Sequence, residues 1–343
     1  MPEPPVVIII PVRNEETHLE EALQSVCQLT YSHFRVLVIN DRSTDRTQEI
    51  LETIASRYPN VSLLHIEFLP AGWLGKNHAL HKGCNATWEE WILFTDADVY
   101  FQPDTLSKAM QYCQEQHLDH LTVLPYVHSR SVWLNSLLAT FVIMLEIRQR
   151  PWSIRDPASR ASLGIGAFNL VNRQAYKRAG THQAIALRPD DDLKLGERIK
   201  ASGGRQDALY GEGQIQLEWY ASVADFVNGL MKNMFSVYGY SLLKTIIAGV
   251  LPTVLFFVLP VPLLLMAGGT TERLLALLIF LSQFLLFVIP HGHRTKWWYT
   301  FILPVAGLLM VYIMLRSALI TLKQKGIYWR ETFYPLSELM KNQ

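Results

Sequence analysis

The chain has 343 residues; half are hydrophobic, 18% are charged, and the formal net charge is +1. That length has room for about two domains, and the near-neutral balance offers no basic field for nucleic acid, so no nucleic-acid partner is expected. The three cysteines, Cys27, Cys84 and Cys113, have neither zinc-type spacing nor the even count of a disulfide framework, and read as reduced thiols on a cytoplasmic domain.

Apolar content is uneven along the chain. The sequence is mixed and polar to about Ser241, then largely apolar to about Ile320. This predicts a soluble domain over 1–241, a membrane segment over 242–322 and a short basic, aromatic tail over 323–343. The first apolar run, Val6 to Ile10, stops at Pro11 and is too short for a signal-peptide core.

Val6 to Val12 is apolar on both faces and reads as a buried parallel strand. Arg13-Asn14-Glu15-Glu16 follows, then a helical pattern of Leu19, Ala22, Leu23 and Val26, for which Thr17 and Glu20 form a capping box. Phe34 to Asp41 is a second strand, with a helix through Ile50, Leu51 and Ile54 behind it. Val61 to Ile66 is a third strand and Trp91 to Thr95 a fourth. Strands alternating with helices predict an α/β fold with a Rossmann-like, mostly parallel sheet. Its carboxyl edge, where open α/β sheets bind ligands, collects Asn14, Glu15, Asp41, Asp96 and Asp98. Residues i and i+2 of a strand share a face, so Asp96 and Asp98 are expected to converge. Paired hard oxygens there suit Mg²⁺ or Mn²⁺ carrying a diphosphate. The bland alternative is a capping Asp96 and a solvated Asp98.

Three stretches carry a resemblance: Ile10-Pro11-Val12-Arg13-Asn14-Glu15-Glu16, Val38-Ile39-Asn40-Asp41-Arg42-Ser43-Thr44-Asp45 and Phe94-Thr95-Asp96-Ala97-Asp98. In composition and spacing they resemble family 2 glycosyltransferases of the GT-A fold, over roughly residues 4–240. The resemblance implies a donor-binding edge containing Pro11, Asn14 and Glu15. Asp41 is implied to bind the nucleotide base of a UDP- or GDP-hexose, Asp96 its ribose or sugar side, and Asp98 the metal on its diphosphate. In Gly72-Trp73-Leu74-Gly75-Lys76-Asn77, Gly75 permits a tight backbone, Lys76 offers a cation to phosphate and Asn77 a hydrogen bond to base or ribose. A plain loop entering a helix is the alternative.

Val132 to Ile147 is mostly apolar, interrupted by Asn135, and short for a membrane span. It reads either as an interfacial helix where a lipid acceptor enters or as a buried core helix. Leu163-Gly164-Ile165-Gly166 is a small-residue loop similar to the family's acceptor-side segment, its glycines letting backbone approach a ligand. In Pro189-Asp190-Asp191-Asp192-Leu193, Asp191 stands where the family usually has Glu and Asp192 where it has Asp. An inverting transferase needs a base for the acceptor hydroxyl. Asp192 is assigned that role, with Asp191 as the alternative; the bland reading is negative charge favoured at a helix N-terminus. Lys232 and Asn233 occupy the family's polar segment near the donor diphosphate. The Gln-x-x-Arg-Trp motif of processive members is absent, which points to transfer of a single sugar. Lys232 reads alternatively as a juxtamembrane charge.

Ile246 to Ala267, Leu274 to Pro290 and Phe301 to Ile320 are predicted membrane segments, with Trp297, Trp298 and Tyr299 as an interfacial belt. Lys232 and Lys244 before the first of them predict an integral membrane protein with its catalytic domain in the cytoplasm. Three spans leave Lys323, Lys325 and Arg330 on the far side, so one segment is re-entrant or the tail is an exception. His291 and His293 read as part of a basic loop. The GT-A pattern, the apolar bundle and Gly72 to Asn77 together resemble the hydroxychlorobactene and diaponeurosporenoate subgroup of carotenoid glycosyltransferases. That resemblance implies a lipid or carotenoid acceptor and a metal-assisted inverting displacement. A polyprenyl-phosphate or glycerolipid glycosyltransferase is the runner-up. A non-catalytic membrane scaffold is a third reading, against which the intact Asp41, Asp96, Asp98 and acidic cluster speak.

Overall fold

A computed structural model describes residues 3–127, 129, 131–266, 268–288, 295–329 and 332–342. The chain divides into two compact units, one formed by residues 3–126 and 149–218, the other by 127–148 and 219–341.

The first unit is built on a seven-stranded sheet. Its strands are β1 (Val6–Val12), β2 (Phe34–Asp41), β3 (Val61–Ile66), β4 (Trp91–Phe94), β5 (His120–Leu124), β6 (Asn169–Asn172) and β7 (Gln206–Tyr210). They run in the order β3-β2-β1-β4-β6-β5-β7. β1, β2, β3 and β4 are mutually parallel where they pair, β6 is antiparallel to both neighbours, and β7 is parallel to β5. Helices α1 (Leu19–Cys27), α2 (Thr47–Arg57), α3 (Gly75–Asn85), α4 (Thr105–Glu115), α5 (Arg173–Arg178) and α6 (Asp191–Ala201) make the connections or follow them. β1 is apolar throughout because the sheet is covered on both faces: Val6 to Ile10 are at most 1% exposed. Ile9, Ile39, Ile92 and Phe94 meet Leu80, Tyr176, Leu195 and Ile199 in one core cluster. α3 lies so close that a Cβ on Gly83 would be 2.5 Å from Ile39 Cδ1. After β3 the chain returns to the other side of β1, so the strand order reverses between β1 and β4. That reversal opens a crevice at the carboxyl ends of those two strands.

Two local expectations fail. Thr17 caps nothing: α1 starts at Leu19, and its capping position is His18, whose side chain makes no capping bond. β4 ends at Phe94 rather than Thr95. Thr95 N–H still donates to Ile9 O (3.3 Å), but its hydroxyl donates sideways to Ala167 O (2.7 Å), and the chain leaves the sheet there.

In the second unit the helices Val132–Gln149, Val223–Val237 and Leu303–Gln324 bury Leu134, Leu138, Phe226, Leu230, Met310 and Ile313 in one cluster. Ser317 Oγ donates to Met231 O (2.5 Å) and accepts from Phe235 N–H (3.2 Å), tying two of these helices together. Thr270–Val288 and Leu303–Gln324 are long and apolar enough to cross a membrane, and so is Val132–Ser153, which its sequence made look short. The expected straight run from Ile246 is broken. Leu242–Val258 bends by 43° into Pro260–Met266, and Ile246–Val250 and Val254–Val258 are wound as π-helix around Pro252. Prolines that lack an N–H and crowd the preceding turn account for the bend. Ala267, Ile289, Pro290, His291, His293 and Arg330 lie outside the described residues. The tail pairs Gly326–Trp329 with Thr332–Pro335 as an antiparallel hairpin.

Arg173 holds the entry to β4. Its guanidinium donates to Glu89 O (2.5 Å), Cys84 O (3.1 Å) and Thr87 Oγ1 (3.0 Å), all buried. Arg173→Leu strands these acceptors, and unfolding of the detergent-solubilised protein is expected to show a loss of about 3 kcal/mol. A loss within 0.5 kcal/mol, roughly that of an ordinary surface change, refutes the role.

Candidate active site at the carboxyl edge of the sheet

The loops after β1 and β2 are stapled together. Asn14, at φ +53°, takes Thr44 N–H on Oδ1 (2.8 Å) and donates its own N–H to Ser43 Oγ (3.1 Å). Glu15 N–H donates to Thr47 Oγ1 (2.9 Å). Pro11 sits near the end of β1 opposite Ile39. Asp41 closes β2 and is buried beneath two arginines: Arg42 Nε and Nη2 donate to its two oxygens at 2.8 and 3.0 Å, and Arg13 Nη1 stands 4.0 Å away. A Cβ on Gly75 would lie 2.4 Å from Asp41 Oδ2, so only glycine lets α3 start against this carboxylate.

Asp96 and Asp98 lie in the turn after β4, not on the strand, so alternation of strand faces is not what brings them together. Lys76, from the first turn of α3, pairs with Asp96 (Nζ to Oδ1, 2.7 Å) and stands 3.9 Å from Asp191. Burial alone would push the Lys76 ammonium down, but Asp191, Asp96 and Asp192 outweigh it and hold the pKa above the usual lysine value. Asp98 forms no ion pair among the described residues, and Lys76 offsets its burial only in part. Burial, then the charges of Asp96 and Glu15, push its carboxyl up to about 7.

Asn77 turns away from this edge. Successive helical residues point about 100° apart. Its side-chain amide is 1% exposed and donates to Ile185 O (2.9 Å), Ala186 O (3.2 Å) and Arg188 O (2.9 Å). The expected donor contact from Asn77 is therefore replaced by a structural one: it pins the segment that leads into the acidic cluster. Lys232 and Asn233 belong to the second unit, and the Lys232 side chain lies outside what is described.

The three consecutive aspartates have different partners. Asp190 is tied to Arg188 by two bonds of 2.9 and 2.7 Å. Asp191 is buried and faces Lys76. Asp192 accepts Gly166 N–H on Oδ2 (2.9 Å) and Leu193 N–H on Oδ1 (2.8 Å). Burial raises the pKa of both Asp191 and Asp192, and Lys76 opposes the rise. The glycine loop serves close approach, but within the protein. A Cβ on Gly164 would meet Asp192 O at 2.0 Å, and one on Gly166 would meet Asp96 Oδ2 at 2.6 Å. Lys76, Asp96, Gly166, Asp191 and Asp192 line one small cavity with His182. Sequence reading missed His182, which belongs to no motif; its place comes from the turn that Asn77 pins.

The Asp98 shift has a measurable sign. Its folded pKa of about 7 lies above the ordinary value of 3.8, so the stability it contributes is fully present below about 4 and is lost progressively as pH rises to about 7. Asp98→Asn escapes that loss. Without divalent metal, its melting temperature relative to the parent protein is expected to rise between pH 5 and pH 8. A difference independent of pH refutes the burial of this charge.

Residues 7–180 match the profile of glycosyl transferase family 2. A 4,4'-diaponeurosporenoate glycosyltransferase of Staphylococcus haemolyticus is 25% identical over 232 residues, 67% of this chain and 60% of that protein. One from Staphylococcus aureus is 30% identical over 195 residues, 56% of this chain and 50% of that protein. The chain thus spans only about half the length of these relatives. In fold, the chain is similar to a mannosyltransferase from Pyrobaculum calidifontis solved with GDP-Man and Mn²⁺, with a TM-score of 0.57 at 15% identity, covering 93% of this chain and 86% of that one. The profile covers just over half of the chain, which therefore belongs to glycosyl transferase family 2.

Proposed function

We propose that the protein moves one hexose from a UDP- or GDP-hexose to a membrane lipid, a hydroxylated or carboxylated carotenoid or another isoprenoid, with inversion at the anomeric carbon. The observation that carries this reading is the assembly of Lys76, Asp96, Asp191 and Asp192 around one cavity at the crevice of a family 2 fold. The carotenoid acceptor is supported by the names of the Staphylococcus relatives. Catalysis belongs to residues 1–241, facing the cytoplasm, where nucleotide sugars are made, and the apolar stretch 242–322 holds the protein in the bilayer beside its acceptor.

The oxygen donors of Asp98 suit Mg²⁺ or Mn²⁺. Among the described residues no group of three His, Cys, Asp or Glu forms a ready cage. That fits an ion held by one or two carboxylates and completed by substrate phosphates. When bound, the ion supplies positive charge to the departing nucleoside diphosphate. Asp41 accepts a hydrogen bond from the base. Asp192 takes the acceptor hydroxyl's proton as that oxygen bonds to the anomeric carbon and the bond to the diphosphate breaks. Gly166 and Leu193 N–H groups keep the Asp192 carboxylate oriented, one lone pair on each oxygen remaining. An ionised carboxyl acceptor needs no base, so the two acceptor types separate the roles of Asp192.

The test is to incubate membranes containing the protein with Mn²⁺, UDP-glucose or GDP-mannose and extracted carotenoids, and to look for hexosyl products by mass spectrometry. Asp98→Asn is expected to lower product about 100-fold or more; turnover equal to the parent sinks the metal role. Asp192→Asn is expected to cost about 10²- to 10⁴-fold with a hydroxylated acceptor and far less with a carboxylated one. Equal losses on both remove Asp192 as base.

A further inference from the structure

His182 is 1% exposed and lines the cavity beside Lys76, Asp96, Asp191 and Asp192. The chain reaches it through two residues with left-handed φ, Gly180 (+89°) and Thr181 (+58°), and the imidazole stands edge-on to Phe94 at 4.9 Å. Tyr176 sets its state. The His182 backbone N–H donates to the Tyr176 hydroxyl (3.0 Å), and the same oxygen lies 2.7 Å from His182 Nδ1. With that oxygen accepting from the backbone, its own proton can go to Nδ1, and in that tautomer the ring proton sits on Nε2. Burial and the Lys76 charge keep the ring neutral, lowering its pKa to about 3. Among the described residues Nε2 has no hydrogen-bond partner. In that tautomer the site holds an uncharged N–H donor beside the carboxyl groups of Asp96, Asp191 and Asp192.

The geometry points to His182 as a sugar-reading residue: its Nε2–H donates to a hydroxyl of the transferred hexose, whose own proton goes to a neighbouring carboxylate, and Tyr176 is its positioning residue. A hydroxyl is the group that fits, because it accepts and donates at once. A phosphate in the same place would face Asp96, Asp191 and Asp192. This inference rests on the nucleotide-sugar reading above and adds to it the residue that distinguishes the sugar from the bare nucleotide.

The test uses the full chain in detergent with Mn²⁺ and no acceptor, titrated calorimetrically with UDP, UDP-glucose, GDP and GDP-mannose. The margin by which the sugar nucleotide binds more tightly than its nucleoside diphosphate is the readout. His182→Leu is expected to reduce that margin about tenfold, leaving the diphosphate affinity unchanged. His182→Gln, which keeps an N–H donor, is expected to restore most of it, and Tyr176→Phe to fall between. A folded His182→Leu that keeps the whole margin overturns the inference, as does an equal loss for sugar nucleotide and diphosphate. A loss seen only after farnesol is added assigns His182 to the acceptor and also overturns it. If His182→Leu does not fold, Tyr176→Phe decides: an unchanged margin overturns the inference. A parent protein that binds none of the four nucleotides overturns the nucleotide-sugar reading itself, a result distinct from all of these.

Discussion

The active edge of this protein depends on one ammonium group among carboxylates. Lys76 stands between Asp96 and Asp191, with Asp192 close enough to add to the field. Several acids crowded at a sheet edge repel one another, and burial makes each charge harder to keep. A single cation on a fixed helix turn offsets that repulsion, acting on Asp98 and Asp192 through its field while, among the described residues, neither forms an ion pair. The neighbouring residue completes the arrangement from the other side of the helix. Asn77 ties down the segment 185–188, which sets where α6 and its acids begin. One turn of α3 therefore positions both the cation and the acids it balances.

The rest of the site sorts charge by giving each acid a different partner. Asp41 is held by Arg42 and Asp190 by Arg188, each through two hydrogen bonds. Asp192 is held by backbone N–H groups, which orient a carboxylate without lending it a full positive charge. Close packing makes this sorting work. Gly75, Gly164 and Gly166 lie where a Cβ would strike Asp41, Asp192 and Asp96. Their value here is the absence of a side chain between two loops, not a flexible turn.

The second unit follows other rules. Its helices are apolar on nearly every side, and several hydroxyls inside it bond to backbone: Ser317 reaches Met231 O, and Thr253 Oγ1 donates to Gly249 O (2.7 Å). Gln283, fully buried, donates to Phe256 O in the π-helical stretch. Carbonyls loosened by a wide turn accept such bonds readily, which is how a proline-broken helix keeps its backbone satisfied in an apolar setting.

Sequence alone determined the α/β class, the parallel strands and the motif loops at the sheet's carboxyl edge, because buried parallel strands are written as continuous apolar runs and the chain direction places every such loop at one end. It also determined which aspartates gather there. It did not determine how they are partnered. The separation of Asp190, Asp191 and Asp192, the turning of Asn77 away from the edge, the arginines on Asp41 and the entry of His182 into the cavity all arise from contacts between residues far apart in the chain. Those contacts follow from helix phase and from the distance at which loops pack, and neither is encoded in local pattern or spacing. The bend after Val258 is intermediate: its prolines were visible, but a break in an apolar run is decided by which carbonyls find partners once the helices pack, and only the tertiary structure decides that.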